Sequence, residues 1–155
     1  MSTPTLSTLH SDGTVTVWDS SAPRRISAAD AYLRSQRLLA VAFARRVQLI
    51  MRDLRSIAAL DVAYRHAKGK ATDEELETAH SAARDAAWSA ANFYSKDGGR
   101  AAYAAQAAAD AAVSASAAMP QTRHAAAEAV RAVPARSART ELVAQGEIMR
   151  EMLTA

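Results

Sequence analysis

The stretch Thr72-Asp73-Glu74-Glu75-Leu76-Glu77-Thr78-Ala79-His80-Ser81-Ala82-Ala83-Arg84-Asp85-Ala86-Ala87-Trp88-Ser89-Ala90-Ala91 decides the fold. Thr72 is placed to cap the amide of Glu75, and Glu75 to reach back to the amide of Thr72. Three acids then sit at the positive end of the new helix dipole. This predicts a helix from Asp73. Behind it, alanine pairs at 82 and 83, 86 and 87, and 90 and 91 repeat every four residues, along one helix face. Alanine at that spacing lets two helix backbones approach closely. Each buried methyl contributes little, so such an interface is held by many close contacts. Trp88, among the alanines, reads as a structural core anchor.

Working toward the N-terminus, Gly69 ends the preceding helix. There, Leu39, Phe43, Val47, Ile50, Leu54, Ile57 and Tyr64 keep the rhythm of an amphipathic helix. Ser27, with Asp30 three residues on, starts that run. Asp53 either caps a second helix or lies within one continuous helix reaching Lys68; both readings stand. Toward the C-terminus, Lys96-Asp97-Gly98-Gly99 turns the chain into an Ala-rich helix from about Arg100 to Ala118. Met119-Pro120 and Pro134 interrupt, and a last helix, about Ser137 to Leu153, carries Leu142, Ile148, Met149 and Met152. Most apolar area is expected from 38–64 and 142–153, and those segments are expected to touch.

The first 26 residues differ. Asp12-Gly13 between Thr8-Leu9-His10 and Thr14-Val15-Thr16-Val17-Trp18 reads as a β-hairpin with a two-residue turn. It should pack on the helices through Trp18 or the two valines, because an isolated hairpin is marginal in water. Ser20-Ser21-Ala22-Pro23 reads as a connector. The expected fold is therefore all-α, a bundle of four to six Ala-rich helices over 27–155 with a short N-terminal β-hairpin and connector over 1–26.

Composition agrees. In 155 residues there are 40 alanines against 5 glycines, 4 prolines and 8 aromatics, which argues against an all-β sandwich or barrel. The absence of cysteine removes disulfide frameworks, thiolate metal sites and cysteine nucleophiles, and fits a reducing compartment. Met1 to Leu9 lacks the basic and apolar regions of a secretory signal. Ala101 to Ala118, without Leu, Ile or Phe and with Asp110 inside, is a poor membrane span. A cytoplasmic protein with no membrane partner is expected.

Catalytic chemistry finds little support. Glu77 and His80 form one Glu-x-x-His pair, but a carboxylate-bridged di-metal bundle needs a second pair and further glutamates; His124 with Glu128 is the nearest substitute. Ser89, Ser114 and Ser116 lie in predicted helices with no histidine at a local spacing that suggests a base. Gly98-Gly99 with Lys96 and Arg100 reads as a helix-to-helix turn before it reads as a phosphate cradle. No catalytic residue, metal or cofactor is expected, and the protein is read as a non-enzyme.

The net charge is +3, spread over both halves of the chain. On one continuous helix Arg34, Arg37, Arg45, Arg52 and Arg55 form a stripe opposite the apolar face. That is either a solvated outer face or a binding surface for nucleic acid or an acidic protein. Only Tyr32 is an aromatic beside it, which argues against single-strand stacking. Arg46 projects onto the apolar face and is expected to be buried and paired with Asp61, Asp85 or Asp110, as a structural clamp.

The chain resembles a family of Ala-rich helical proteins of bacteria and phages. The likeness is carried by Arg37-Leu38-Leu39-Ala40-Val41-Ala42-Phe43-Ala44-Arg45-Arg46, by Arg55 to Arg65, by Gly69-Lys70-Ala71-Thr72-Asp73-Glu74-Glu75-Leu76, and by Ala144 to Leu153. It covers about 37–95 and 142–153. The family often has cysteines where Phe43-Ala44 stands, and the N-terminal hairpin lies outside it. More distantly, the alanine tract is similar to helical immunity proteins of toxin systems. The resemblance transfers no catalytic residue. It implies an accessory or interaction protein of a phage or conflict locus that binds and neutralises or modulates a protein partner. A nucleic-acid binder is the alternative, and a homodimer through the Ala-rich helices is a further partnership considered.

Overall fold

The computed structural model describes residues 7–18, 23–93, 98–112, 118–134 and 137–154. In chain order come β1 (Ser7–Leu9), β2 (Thr14–Trp18), β3 (Pro23–Ser27), α1 (Ala28–Arg46), a 3-10 turn (Gln48–Ile50), α2 (Leu54–Ala67), α3 (Asp73–Phe93), α4 (Gly98–Ala111), α5 (Ala118–Ala132) and α6 (Ala138–Thr154). The fold is an all-α bundle with a small antiparallel sheet at its N-terminal end.

The sheet goes one strand beyond the expected hairpin. Pro23, read above as connector, begins β3, which pairs antiparallel with β2 in the order β1-β2-β3. Proline is tolerated there because it is the first residue of an edge strand. The turn also differs. His10 N–H donates to the Thr14 carbonyl, leaving Ser11, Asp12 and Gly13 as a three-residue loop with Gly13 at φ +76°. Asp12 Oδ1 accepts from the Thr14 amide at 3.0 Å and its hydroxyl at 2.6 Å. The Gly13 carbonyl accepts from the Ala28 amide, tying the loop to the start of α1. The side chains of Val17 and Trp18, candidates for packing on the helices, lie outside the described residues.

Local signals explain the helix ends. Ser27 Oγ accepts from the Asp30 amide at the start of α1. α2 closes in a Schellman motif, with Gly69 at φ +71° donating to the His66 carbonyl and Lys70 donating to the Arg65 carbonyl. At the start of α3 the Thr72 amide donates to Glu75 Oε2 at 2.8 Å and the Glu75 amide to Thr72 Oγ1 at 3.1 Å. Pro120 falls in the first turn of α5, where its missing N–H costs nothing.

α4 lies at the centre, packed against α1, α2, α3 and α5. Its Ala101, Ala104, Ala105, Ala107, Ala108, Ala109 and Ala111 are all buried, so the helix is apolar nearly all round. Ala125, Ala129 and Ala132 of α5 and Ala83, Ala86 and Ala87 of α3 are buried as well. The alanine faces are thus used inside the protomer. Bulk comes from Val41, Val47, Leu60 and Leu76, each essentially inaccessible. Cutting Leu60 or Leu76 to alanine removes more than any methyl in the tract, on the order of 2–5 kcal/mol.

Of the two readings left open for the run from 39 to 64, the structure takes the break at Asp53, and one expectation about the apolar segments needs correction. α1 ends at Arg46, and Asp53 caps α2 by accepting from the Arg55 amide at 2.9 Å. Leu54 consequently turns out to solvent. α6 does touch α1, but through polar groups; Leu142, Val143, Met149 and Met152 remain exposed.

Candidate functional site

The break at residues 47–53 disperses the arginine stripe. Arg37 is buried, with Nη1 donating to the Ala111 carbonyl at 3.4 Å. It therefore meets the carbonyl-rich end of α4, where a cation is favoured. Burial pulls its pKa down to about 10, while Asp73 opposes that shift. Arg34 is half-buried on α1, and Arg45 lies over the Tyr64 ring at 4.8 Å. Arg52 sits in the connector before α2. Arg55 grips Asp53, its Nη2 donating to Oδ2 at 2.7 Å, and this hydrogen bond raises the guanidinium pKa, with smaller help from Asp85. These five residues do not form one face.

Arg46 and Trp88 also lie elsewhere than expected. Arg46 pairs with Glu141 of α6, not with Asp61, Asp85 or Asp110, and its side chain is partly exposed while the carboxylate is buried. The wheel angle that pointed it inward took no account of α6 docking at the end of α1. Trp88 is 73% exposed and is no core anchor.

The histidines do not converge. His80 Nδ1 lies 3.9 Å from Glu77, and burial lowers its pKa. His66 Nε2 is 2.7 Å from Asp73 Oδ1. Among the described residues no three histidine, aspartate or glutamate side chains are grouped to hold a metal ion. Lys96, Ser114 and Ser116 lie outside the described residues.

The structure instead assembles a surface the sequence did not announce. Between α2 and α3 runs an open groove of about 470 Å³, floored by Ala58, Ala59, Val62, Ala79 and Ala82. Arg55 borders one end, and Thr72, Glu74 and Glu75 the other. The floor is shallow because small side chains leave the space between two helices unfilled. Arg65 Nη1 lies 3.6 Å from Glu75 and His66 Nε2 2.7 Å from Asp73, which brings the C-terminal end of α2 to the N-terminal end of α3. Leu54, at the start of α2, and Trp88, toward the end of α3, therefore lie toward the same end of the helix pair, and neither lines the groove. Leu54 is 78% exposed, and Leu49, in the turn leading to α2, is 100% exposed. Asp53 was the available signal. As an N-cap it restarts the helix and rotates Leu54 off the apolar face.

No known protein family, curated protein or solved structure matches this chain.

Proposed function

We propose that the protein is a non-enzymatic interaction module that holds an amphipathic helix of a protein partner in the α2–α3 groove. One observation carries this reading: an open, alanine-floored groove runs between α2 and α3, and Leu54 and Trp88, on the two helices that bound it, are largely exposed. Leaving leucine and tryptophan in water forgoes roughly 1.5–3 kcal/mol for each side chain that a partner would cover. Tryptophan at such a position is also the residue most suited to anchor a contact. The small floor suits a helix, whose own side chains would interdigitate with the alanine methyls. Glu74 at one end favours a basic residue on the partner, and Arg55 at the other favours an acidic one. An immunity, anti-defence or accessory role for a phage or conflict locus is consistent with such a surface. Dispersal of the arginines leaves the nucleic-acid alternative without a continuous basic face.

The test uses a Trp18→Phe background, in which Trp88 is the only tryptophan. Partners captured from the native host are titrated against it. Binding in the groove shifts Trp88 emission to the blue, and Ala82→Arg, which fills the floor, removes both the shift and the capture. A captured partner that leaves Trp88 emission unchanged and tolerates Ala82→Arg rules the groove out. A gel shift at low salt that falls steeply with added salt would favour the nucleic-acid alternative instead.

A further inference from the structure

α4 and α5 pack antiparallel in a register fixed at two points. At one end Arg37 of α1 donates to the Ala111 carbonyl of α4, and Thr122 of α5 donates to the carbonyl of Gln36, so Ala111 and Thr122 stand at the same level of α1. At the other end Arg131 of α5 lies over the Tyr103 ring of α4, 5.9 Å from its centroid. Moving inward from Tyr103 and Arg131, one turn brings Gln106 level with Glu128, and two turns bring Asp110 level with His124. At about 100° per residue, each set of three falls within about 60° of its own helix. A polar seam therefore runs between two helices packed through buried alanines.

Asp110 and Glu128 are buried on this seam, while His124 is exposed. Glu128 Oε1 accepts from Arg131 Nη1 at 2.8 Å, and Asp110 Oδ1 from Gln106 Nε2 at 2.9 Å. Asp110 Oδ2 is buried and meets no donor. A carboxylate oxygen left in that state bears its full desolvation penalty. Burial raises the Asp110 pKa, the Gln106 hydrogen bond and His124 oppose the rise, and Glu128 adds to it. Of the other helices packed on α4, α1 brings Arg37, which holds the Ala111 carbonyl. Among the described residues, α2 and α3 bring no charge that acts on Asp110. α1 and α6 meet α5 at Thr122 and Ala126, each about 160° round the helix from His124, so the imidazole has Asp110 and Glu128 as its carboxylate neighbours on the seam.

We infer that His124 and Asp110 form a pH-operated latch across the α4–α5 seam: the His124 imidazolium turns inward and donates to Asp110 Oδ2, drawing α5 onto α4, and loss of its proton releases the latch. Histidine changes charge between about pH 5 and 8, so the latch is closed in mild acid and open toward pH 8. The neutral ring keeps one N–H but no charge, and a hydrogen bond between two ions is roughly twice as strong as a neutral one. Because α5 also holds Gln145 of α6 through the Ala126 carbonyl, the proton on His124 governs how firmly both C-terminal helices are seated.

Amide hydrogen exchange of the full chain from about pH 5 to 8, corrected for the intrinsic rate of each amide, reads the latch as the protection of the α5 backbone. Protection is expected to be roughly tenfold higher at the acidic end, as gain of one charge-assisted hydrogen bond to a partly exposed ring would give. His124→Gln keeps a neutral donor and should hold α5 at the low level across the range. Asp110→Asn removes the charge that the imidazolium answers and should hold it at the high level. The first change is at an exposed position and the second is nearly isosteric, so both proteins should fold. α5 protection that does not change in the parent overturns the inference. So does a pH dependence that survives His124→Gln, which would place the proton elsewhere, or one that survives Asp110→Asn, which would make Glu128 the acceptor.

Discussion

Arg46 Nε, in the last turn of α1, donates to both carboxylate oxygens of Glu141, in the first turn of α6, at 2.9 Å each. The pair joins a helix C-terminus to a helix N-terminus, so each charge also meets the favourable end of its own helix dipole. Gln145 Nε2 completes the set, donating to Glu141 Oε1 at 3.2 Å and to the Ala126 carbonyl of α5 at 3.1 Å. This polar joint fastens a helix whose apolar face points away from the bundle.

The two partners are unequal, with the Arg46 side chain 36% exposed and that of Glu141 5%. Arg46→Ala strands a buried carboxylate. The expected loss is about 2 kcal/mol, below that of a fully buried pair because water still reaches the arginine end. Arg46→Met with Glu141→Leu removes both charges and should recover most of the loss. Urea unfolding of the parent, the single and the double variants measures this. Equal losses in the single and double variants would show that packing, not the stranded charge, dominates.

The reciprocal cap of Thr72 and Glu75 starts the helix that forms one wall of the groove. Thr72→Ala removes the acceptor for the Glu75 amide and should cost about 1 kcal/mol, while Thr72→Ser should stay near the parent. Denaturant midpoints followed by circular dichroism distinguish the two. If the alanine variant unfolds with the parent, the first turn of α3 is held by packing of Leu76 alone.

Sequence made the helices legible wherever a signal was local. The capping pair at Thr72 and Glu75 and the stop at Gly69 act through their own neighbours, so spacing alone places them, whereas α4 ends at Ala111 rather than near Ala118 and Pro120 falls inside the first turn of α5 instead of interrupting a helix. The alanine tract also announced its class, because alanine is the best helix former and a poor strand former. Side-chain fates set by tertiary docking were not legible. Arg37 and Arg46 exchanged their expected roles because one meets the carboxyl end of α4 and the other meets α6, and neither partner lies within 70 residues of its arginine. Trp88 and Leu54 look like core residues by composition, and only the register of α2 against α3 shows that the core is already filled by alanine.

Asp110 is a charged group inside the alanine core, and it gives stability a pH dependence. It is buried on α4; Oδ1 accepts from Gln106 Nε2 at 2.9 Å and Oδ2 is buried with no hydrogen-bond partner. Burial raises its pKa above 3.8. The Gln106 hydrogen bond and His124 oppose the rise, and Glu128 adds to it. The folded state therefore holds this proton more tightly than the unfolded state does. The resulting stabilisation is fully present below about pH 4 and is lost as pH rises through the folded pKa. Asp110→Asn keeps an acceptor for Gln106 and removes the charge. It should melt above the parent at pH 7, and the gap should close as pH falls below about 4, where the parent carboxyl is neutral too. Melting temperatures of both proteins across that interval are the measurement. A gap that stays constant with pH would mean that Asp110 titrates as it does in the unfolded chain, and that water reaches Oδ2 in solution.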